Sequence, residues 1–419
     1  MKDAPVHAAN ERPADMQVPS GAMRRLVWHW LNSLKDGCLV IEEGGRRRTF
    51  GGSGDSYLRA TVEVCDPRFY RELVFGGSLG AAEAYIRGYW RCADLVGLIR
   101  IFCRNAAITT GMDHIPAWLL RPLRVAGHRM RRNTASGSRR NIAAHYDLGN
   151  DFFSLFLDET LAYSCAVFPA AESTLFEASV AKFDLICRKL ELTPADHLLE
   201  IGTGWGGFAL HAARQYGCRI TTTTISRKQH EHALERIRAA GLADRVTVLL
   251  EDYRELRGSY DKLVSIEMIE AVGHRYFDTY FRACSDRLKP QGMMLLQAIV
   301  IPDQKYDRYR RSVDFIQRYI FPGGCLPSIG AICQSIGRAT DFRLLHLEDI
   351  TPHYADTLAH WRRHFQANLD RVRHLGFSEE FIRTWEFYFC YCEGGFRERV
   401  IGDMQIVLAK PAYGRLPNA

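Results

Sequence analysis

The run Leu198-Leu199-Glu200-Ile201-Gly202-Thr203-Gly204-Trp205-Gly206-Gly207 constrains what this chain can fold into more than any other stretch. An apolar segment suited to a buried parallel strand leads straight into closely spaced glycines, and a helical pattern begins near Phe208. Strand, sharp turn and helix in that order predict a nucleotide cradle at the carboxyl end of the strand. Gly202, Gly204 and Gly207 also satisfy GxGxxG, a spacing shared by dinucleotide sites and by tight turns that bind nothing. A dinucleotide site wants a ribose-binding carboxylate about 20 residues on, at the end of the second strand. That strand, Cys218 to Ser226, ends without one, and the next acid, Glu231, falls inside the following helix. The acid sits instead in the first loop, as Glu200, where it would oppose a pyrophosphate but suit a cation. S-adenosylmethionine, a sulfonium without phosphates, is the favoured ligand; a dinucleotide or purely structural glycines are the alternatives.

At 419 residues the chain is long enough for two or three domains, and its 25% charged and 47% hydrophobic residues are ordinary for a globular protein. No run of about 18 apolar residues predicts a transmembrane helix, and the first residues lack the apolar core of a secretory signal. The twelve cysteines show no repeated CxxC spacing, which points to reduced thiols in a cytoplasm. The histidines show no metal-ligand spacing either. The net charge of +7 is modest, but Arg121, Arg124, Arg129, Arg131, Arg132, Arg139 and Arg140 bunch in one polar segment. That segment reads as a solvated linker or as a contact with anionic lipid. Nucleic acid is disfavoured because no aromatics interleave the charges.

Residues 1–20, with three prolines, read as a disordered tail. Residues 21–130 read as a smaller N-terminal α+β module, with strands at Cys38–Ile41, Arg47–Phe50 and Leu58–Val64. Helices follow after Gly76–Gly80 and over Asp94–Phe102, and 131–141 forms a basic linker. From 142 to 410 the pattern is a doubly wound, Rossmann-like α/β domain, which with S-adenosylmethionine as the favoured ligand would be a class I methyltransferase domain. Thr174 and Glu177 form a capping box before an apolar stripe at Val180, Phe183, Ile186 and Leu190. Strands are expected near 198–201, 218–224, 246–250, 262–266 and 293–299. Residues 303–390, rich in aromatics, read as an insertion whose side chains form core or wall an acyl pocket.

Several ordered motifs resemble the cyclopropane-fatty-acid synthase family, which includes mycolic-acid and fatty-acid methyltransferases. They are His145 to Phe153, Tyr163-Ser164-Cys165, Glu200 to Gly207, Thr224-Ile225-Ser226, Asp252-Tyr253-Arg254, Glu270-Ala271-Val272-Gly273 and Tyr319 to Ser328. The resemblance implies a cytoplasmic enzyme at the inner membrane face that methylenates or methylates the cis double bond of unsaturated phospholipid acyl chains. It places Tyr163, Ser164, Gly202, Gly204, Thr224, Ser226, Gln229, Asp252 and Tyr253 around S-adenosylmethionine, beside Glu200 and Gly206 of the glycine loop. It places bicarbonate, as active-site base, on Cys165, Glu270, Tyr354 and the main chain of Ile299. His145 and its neighbours would form a lid over the cofactor. The N-terminal module would serve lipid or dimer contact, with homodimerisation left open.

Two positions depart from the family pattern. Ala271 follows Glu270 where the family has His, and Gln297 stands where a bicarbonate-binding His is common. Glutamine can hydrogen-bond to an anion but cannot carry charge, which leaves ring or branched product open. Glu267 precedes Glu270 by three, so a helical turn would put both acids on one face, Glu267 as part of a cation-stabilising wall or as a structural pair. Cys165 reads as a packing or main-chain contact rather than a nucleophile, since methyl transfer to carbon needs none. The other readings are a methyltransferase for a small soluble acceptor and a catalytically decayed lipid- or cofactor-binding protein.

Overall fold

The computed structural model of the protein describes residues 20–52, 58–108 and 148–414. The Arg121–Arg140 cluster, the basic linker and His145 to Asp147 lie outside the described residues, as does the tail before Ser20. Two compact units divide what is described. One comprises the residues up to 108 together with Phe365–Glu398, and the other runs from 148 to His364 and resumes at Arg399.

The first unit holds a four-stranded sheet in the order β2-β1-β3-β4, formed by Cys38–Glu43 (β1), Arg46–Gly51 (β2), Arg59–Val64 (β3) and Trp90–Cys92 (β4). β1 and β3 run parallel, and the other pairs are antiparallel. Gly76–Gly80 lie inside the helical segment Arg68–Ile86 rather than before a helix, because the segment bends at Gly77, whose φ of 59° breaks the helical backbone. Asp94 caps the helix Leu95–Arg104 by accepting from the Gly97 N–H at 2.8 Å.

The long helix Glu379–Arg397 belongs to this unit. The stretch expected as one insertion, 303–390, is therefore divided between the two units. The reason lies in remote partners: Tyr85 donates its hydroxyl to Glu386 at 2.8 Å, and Arg100 and Arg104 both pair with Glu398.

The second unit is built on a seven-stranded sheet. Its strands are His197–Ile201 (β5), Arg219–Thr223 (β6), Val246–Leu249 (β7), Tyr260–Ile266 (β8), Leu288–Val300 (β9), Arg343–Asp349 (β10) and Gly402–Ala409 (β11). The order is β10-β11-β9-β8-β5-β6-β7. β11 runs antiparallel between β9 and β10, while β5 to β9 pair in parallel. This is the class I methyltransferase fold, with strand order reversing outward from β5 and β8, where such sheets open a ligand crevice. Buried residues pack both faces of the sheet, with Leu199, Leu263, Met294 and Leu296 in one cluster and Leu198, Val264 and Leu295 in the other. That is why the central strands read as near-continuous apolar runs. The capping box forms as expected: Thr174 Oγ1 accepts from the Glu177 N–H, and Glu177 accepts from the Thr174 N–H at 2.8 Å.

Candidate active site

The glycine loop leaves β5 and enters the helix Gly207–Tyr216. Gly202 has φ 108°, a backbone that side-chain-bearing residues rarely adopt, and both Gly202 and Thr203 donate their N–H groups to the Thr223 carbonyl. Gly207 is required for a different reason, since a Cβ there would lie 2.4 Å from the Thr160 carbonyl oxygen. The loop is held from outside as well. Arg236 donates to the carbonyls of Glu159, Thr160 and Trp205 at 2.8–3.0 Å, and the Trp205 indole N–H donates to Asn150 Oδ1 at 2.8 Å.

Glu200 is buried on β5, and its Oε2 has no hydrogen-bond partner. Burial pushes its carboxyl up to about 8, opposed by a hydrogen bond with Thr222 and by the Lys182 charge. An enclosed acid with a vacant acceptor at the mouth of a glycine loop fits a cationic ligand. Around the crevice, Thr224 Oγ1 donates to Gln229 Oε1 at 2.8 Å, and Ser226 caps the helix Arg227–Ala239 by accepting from the Gln229 N–H. Asp252 is buried, and Arg254 grips its carboxylate from Nε and Nη2 at 2.7 and 2.6 Å. The ring of its neighbour Tyr253 meets Tyr280 edge-on, with centroids 5.5 Å apart.

A second cluster lies where β8 and β9 end and the antiparallel β11 begins. The register sets Ile266 opposite Gln297, Gln297 opposite Gln405, and Ile299 opposite Asp403. Glu267, the residue after β8, therefore meets Gln297, whose carbonyl accepts its N–H at 2.8 Å. Three donors converge on the Glu267 carboxylate. The Cys165 N–H reaches Oε1 at 2.7 Å, the Gln297 amide reaches Oε1 at 2.8 Å, and the Tyr354 hydroxyl reaches Oε2 at 2.6 Å. Glu270 lies on the helical turn Ile269–Ala271; its Oε1 accepts from the Ile299 N–H at 2.6 Å, while its Oε2 is enclosed without a partner.

Cys165 thus meets the cluster through its main chain. Its thiol points to carbonyl oxygens, and burial pushes it well above the usual thiol range, which leaves it unreactive.

Asp403 is the third acid. Its Oδ2 accepts from Gln297 at 3.1 Å and its Oδ1 has no partner. Burial, then the charges of Glu267 and Glu270, push its carboxyl well above the ordinary range. Burial also raises Glu270, to about 8, with Glu267 adding to the effect, and raises Glu267 against its hydrogen bonds and the Lys182 charge. Lys182 is itself fully buried and donates to Ser164 Oγ at 2.7 Å, its pKa lowered by burial. Three enclosed carboxyls this close cannot all ionise. Glu267 collects the donors that favour an ionised carboxylate, whereas Asp403 and Glu270 each keep an enclosed oxygen without a partner.

The orientation of the Gln297 amide follows from a chain of donors. Lys189, which can only donate, reaches Gln405 Oε1 at 2.6 Å. Gln405 must then turn its NH2 to Gln297 Oε1, at 3.0 Å, and Gln297 must turn its own NH2 to Glu267. Asp403, Lys182, Lys189 and Gln405 add to the residues first assigned to the site, and Glu267, which the sequence offers as part of a cation-stabilising wall or as a structural pair, collects three hydrogen-bond donors. Only Glu267 carried a sequence signal, its place three residues before Glu270 at the end of a strand.

The segment after β9 closes over the acids. Ile316–Ile320 is a turn of π-helix, and the Cys325 N–H donates to the Glu270 carbonyl at 2.8 Å. Tyr163, expected at the cofactor, sits in an aromatic nest with ring centroids 5.2 Å from Trp361, 5.5 Å from Phe153 and 6.1 Å from Phe321.

The family model for mycolic acid cyclopropane synthetase matches residues 133–406. The chain belongs to the mycolic acid cyclopropane synthetase family. It is 39% identical over 345 residues to the tuberculostearic acid methyltransferase UfaA1 of Mycobacterium tuberculosis, covering 80% of this chain and 79% of the relative. It is 38% identical over 355 residues to the cyclopropane-fatty-acyl-phospholipid synthase of Escherichia coli, covering 84% and 88%. The solved mycolic acid cyclopropane synthase CmaA1 complexed with SAH and CTAB superposes with a TM-score of 0.61 at 34% identity, over 65% of this chain and 98% of that one. This member of the synthetase family is a C-methyltransferase that uses S-adenosylmethionine, and the vacant acceptor of Glu200 suits that sulfonium donor.

Proposed function

We propose that the enzyme transfers one carbon to the cis double bond of unsaturated phospholipid acyl chains at the inner membrane face, giving a cyclopropane or a methyl-branched or methylene-bearing chain. The observation that carries this reading is an enclosed carboxyl at Glu267, met by three hydrogen-bond donors and linked through Tyr354 to the aromatic nest around Tyr163 and Trp361. Alkylation of an alkene produces a carbocation. Such an ion needs aromatic faces, a low-dielectric enclosure and a nearby base, all of which this site supplies.

S-adenosylmethionine, when bound, supplies a methyl group whose C–S electron pair leaves with sulfur. In our reading, Tyr163, Ser164, Gly202, Gly204, Gly206, Thr224, Ser226, Gln229, Asp252 and Tyr253 hold it, with Glu200 facing its positive charge. Glu270 and Asp403, kept protonated, leave Glu267 as the one charge that draws the cation. Among the described residues no helix is long and apolar enough to cross a membrane, so the substrate would be reached from the surface, with the N-terminal unit contributing lipid or dimer contacts.

The test is transfer of label from methyl-labelled S-adenosylmethionine to liposomes of monounsaturated phospholipid, followed by fragmentation of the acyl chains. Label in the chain, absent with saturated lipid, is expected. Label only in added soluble amines or phenols would overturn the proposal.

A further inference from the structure

Building on that reading, we infer that Glu267 supplies from the chain itself the base that the family resemblance assigns to bicarbonate, so that turnover needs no dissolved inorganic carbon. The set expected to hold the anion is already satisfied within the protein. The Cys165 N–H, the Gln297 amide and the Tyr354 hydroxyl end on Glu267. The remaining members, Ile299 N–H and Glu270, end on each other. An external anion on the same donors would have to share the space of the Glu267 oxygens. Those donors come from three separate parts of the chain, which makes this a built anion site rather than a chance surface contact.

The backbone points the same way. Glu267 has φ 48° and is among four non-glycine residues at positive φ in the described structure. A left-handed backbone is disfavoured for a residue with a side chain, and such strain persists where the surroundings over-determine it. Here the Gln297 carbonyl on its N–H and three donors on its carboxylate fix the residue at both ends.

The chemistry closes without a further reagent. Once the double bond has captured the methyl group, the acyl chain carries a cation. Oε2, which accepts the Tyr354 hydroxyl at 2.6 Å, takes a proton from the new methyl group. The C–H electron pair closes the cyclopropane ring, and Glu267 becomes a carboxylic acid that returns its proton to solvent. If a hydride shift comes first, loss of the same proton leaves a methylene group.

The experiment compares the full-length wild type with Glu267→Gly, using millimolar bicarbonate and formate as probes. Thermal unfolding reads anion binding without turnover, and label transfer is followed in buffer stripped of carbon dioxide. Either probe is expected to raise the melting temperature of Glu267→Gly by a few degrees and restore label transfer lost by about 10²–10⁴-fold. Wild type should respond in neither measurement. A wild type that loses activity on stripping and regains it with bicarbonate overturns the inference, as does a folded Glu267→Gly whose melting ignores both probes. Should Glu267→Gly fail to fold, the wild-type response to stripping decides. Failure of the lipid reading is separable: no lipid would be labelled, yet the difference in melting between the two proteins would stand.

Discussion

Replacing Tyr354 by Phe removes a single interaction from Glu267 and leaves its other partners in place. The hydroxyl donates to Oε2 at 2.6 Å, and the ring meets Trp361 edge-on at a centroid distance of 6.1 Å, a contact phenylalanine can keep. A hydrogen bond to an ionised acceptor is worth about 1.5–3 kcal/mol. It favours the charged form, so losing it makes Glu267 harder to ionise by about 1–2 pH units, at 1.36 kcal/mol per unit. The acid limb of the kcat/KM profile for label transfer should therefore move to higher pH by that amount. Above the new limb the rate should recover, because the freed carboxylate is the stronger base. The assay is the full profile of both proteins with monounsaturated liposomes. A limb that stays put while the rate falls equally at every pH would refute the assignment of Glu267 as the titrating base.

Glu270→Gln, which mimics the protonated acid and can still accept from the Ile299 N–H, should largely keep label transfer but change how stability depends on pH. Burial raises Glu270 from 4.5 to about 8, so between these values the folded state keeps a proton that the unfolded state has released. Wild-type stability then falls as pH rises through that window, by up to about 1.4 kcal/mol per unit, and the variant should show a shallower decline in urea titrations. Gly207→Ala drives a methyl group to 2.4 Å from the Thr160 carbonyl; a loss of about 1–3 kcal/mol in stability and weaker S-adenosylhomocysteine binding by calorimetry are expected. Lys189→Met removes the donor that polarises Gln405 and Gln297. It should lower kcat and raise the acid limb while KM for the donor is unchanged, and Lys189→Arg should restore both.

What could be read in the sequence was local. The strand-to-glycine junction at Ile201-Gly202, the Thr174 capping box and the short strand-like runs of β5 to β9 each carry their signal within a few residues, and the structure places them as expected. The base was harder to see. Glu267 acquires its character from Cys165, Gln297, Tyr354 and Asp403, which only strand register and the first turn of the helix Thr351–Ala367 bring together. Asp403 reads in sequence as an ordinary strand residue, and nothing nearby signals that it is enclosed. The grouping of Phe365–Glu398 with the first unit, inside and beyond the stretch 303–390 expected as one insertion, was not legible for the same reason, since an amphipathic helix such as Glu379–Arg397 does not announce which remote surface will cover it.

The Arg236 clamp bears on how the methyl donor arrives. One guanidinium spans three carbonyls on either side of the glycine loop, and Asn150 holds the loop's Trp205 from the opposite flank. The cradle is thus ordered by folding rather than by its ligand. Association then loses little loop entropy, and more of the contact energy remains as affinity. On the proposed reading, the spent product, which differs from the donor by one methyl group and one charge, would find the same cradle, and its weaker attraction to Glu200 would favour release without the loop letting go.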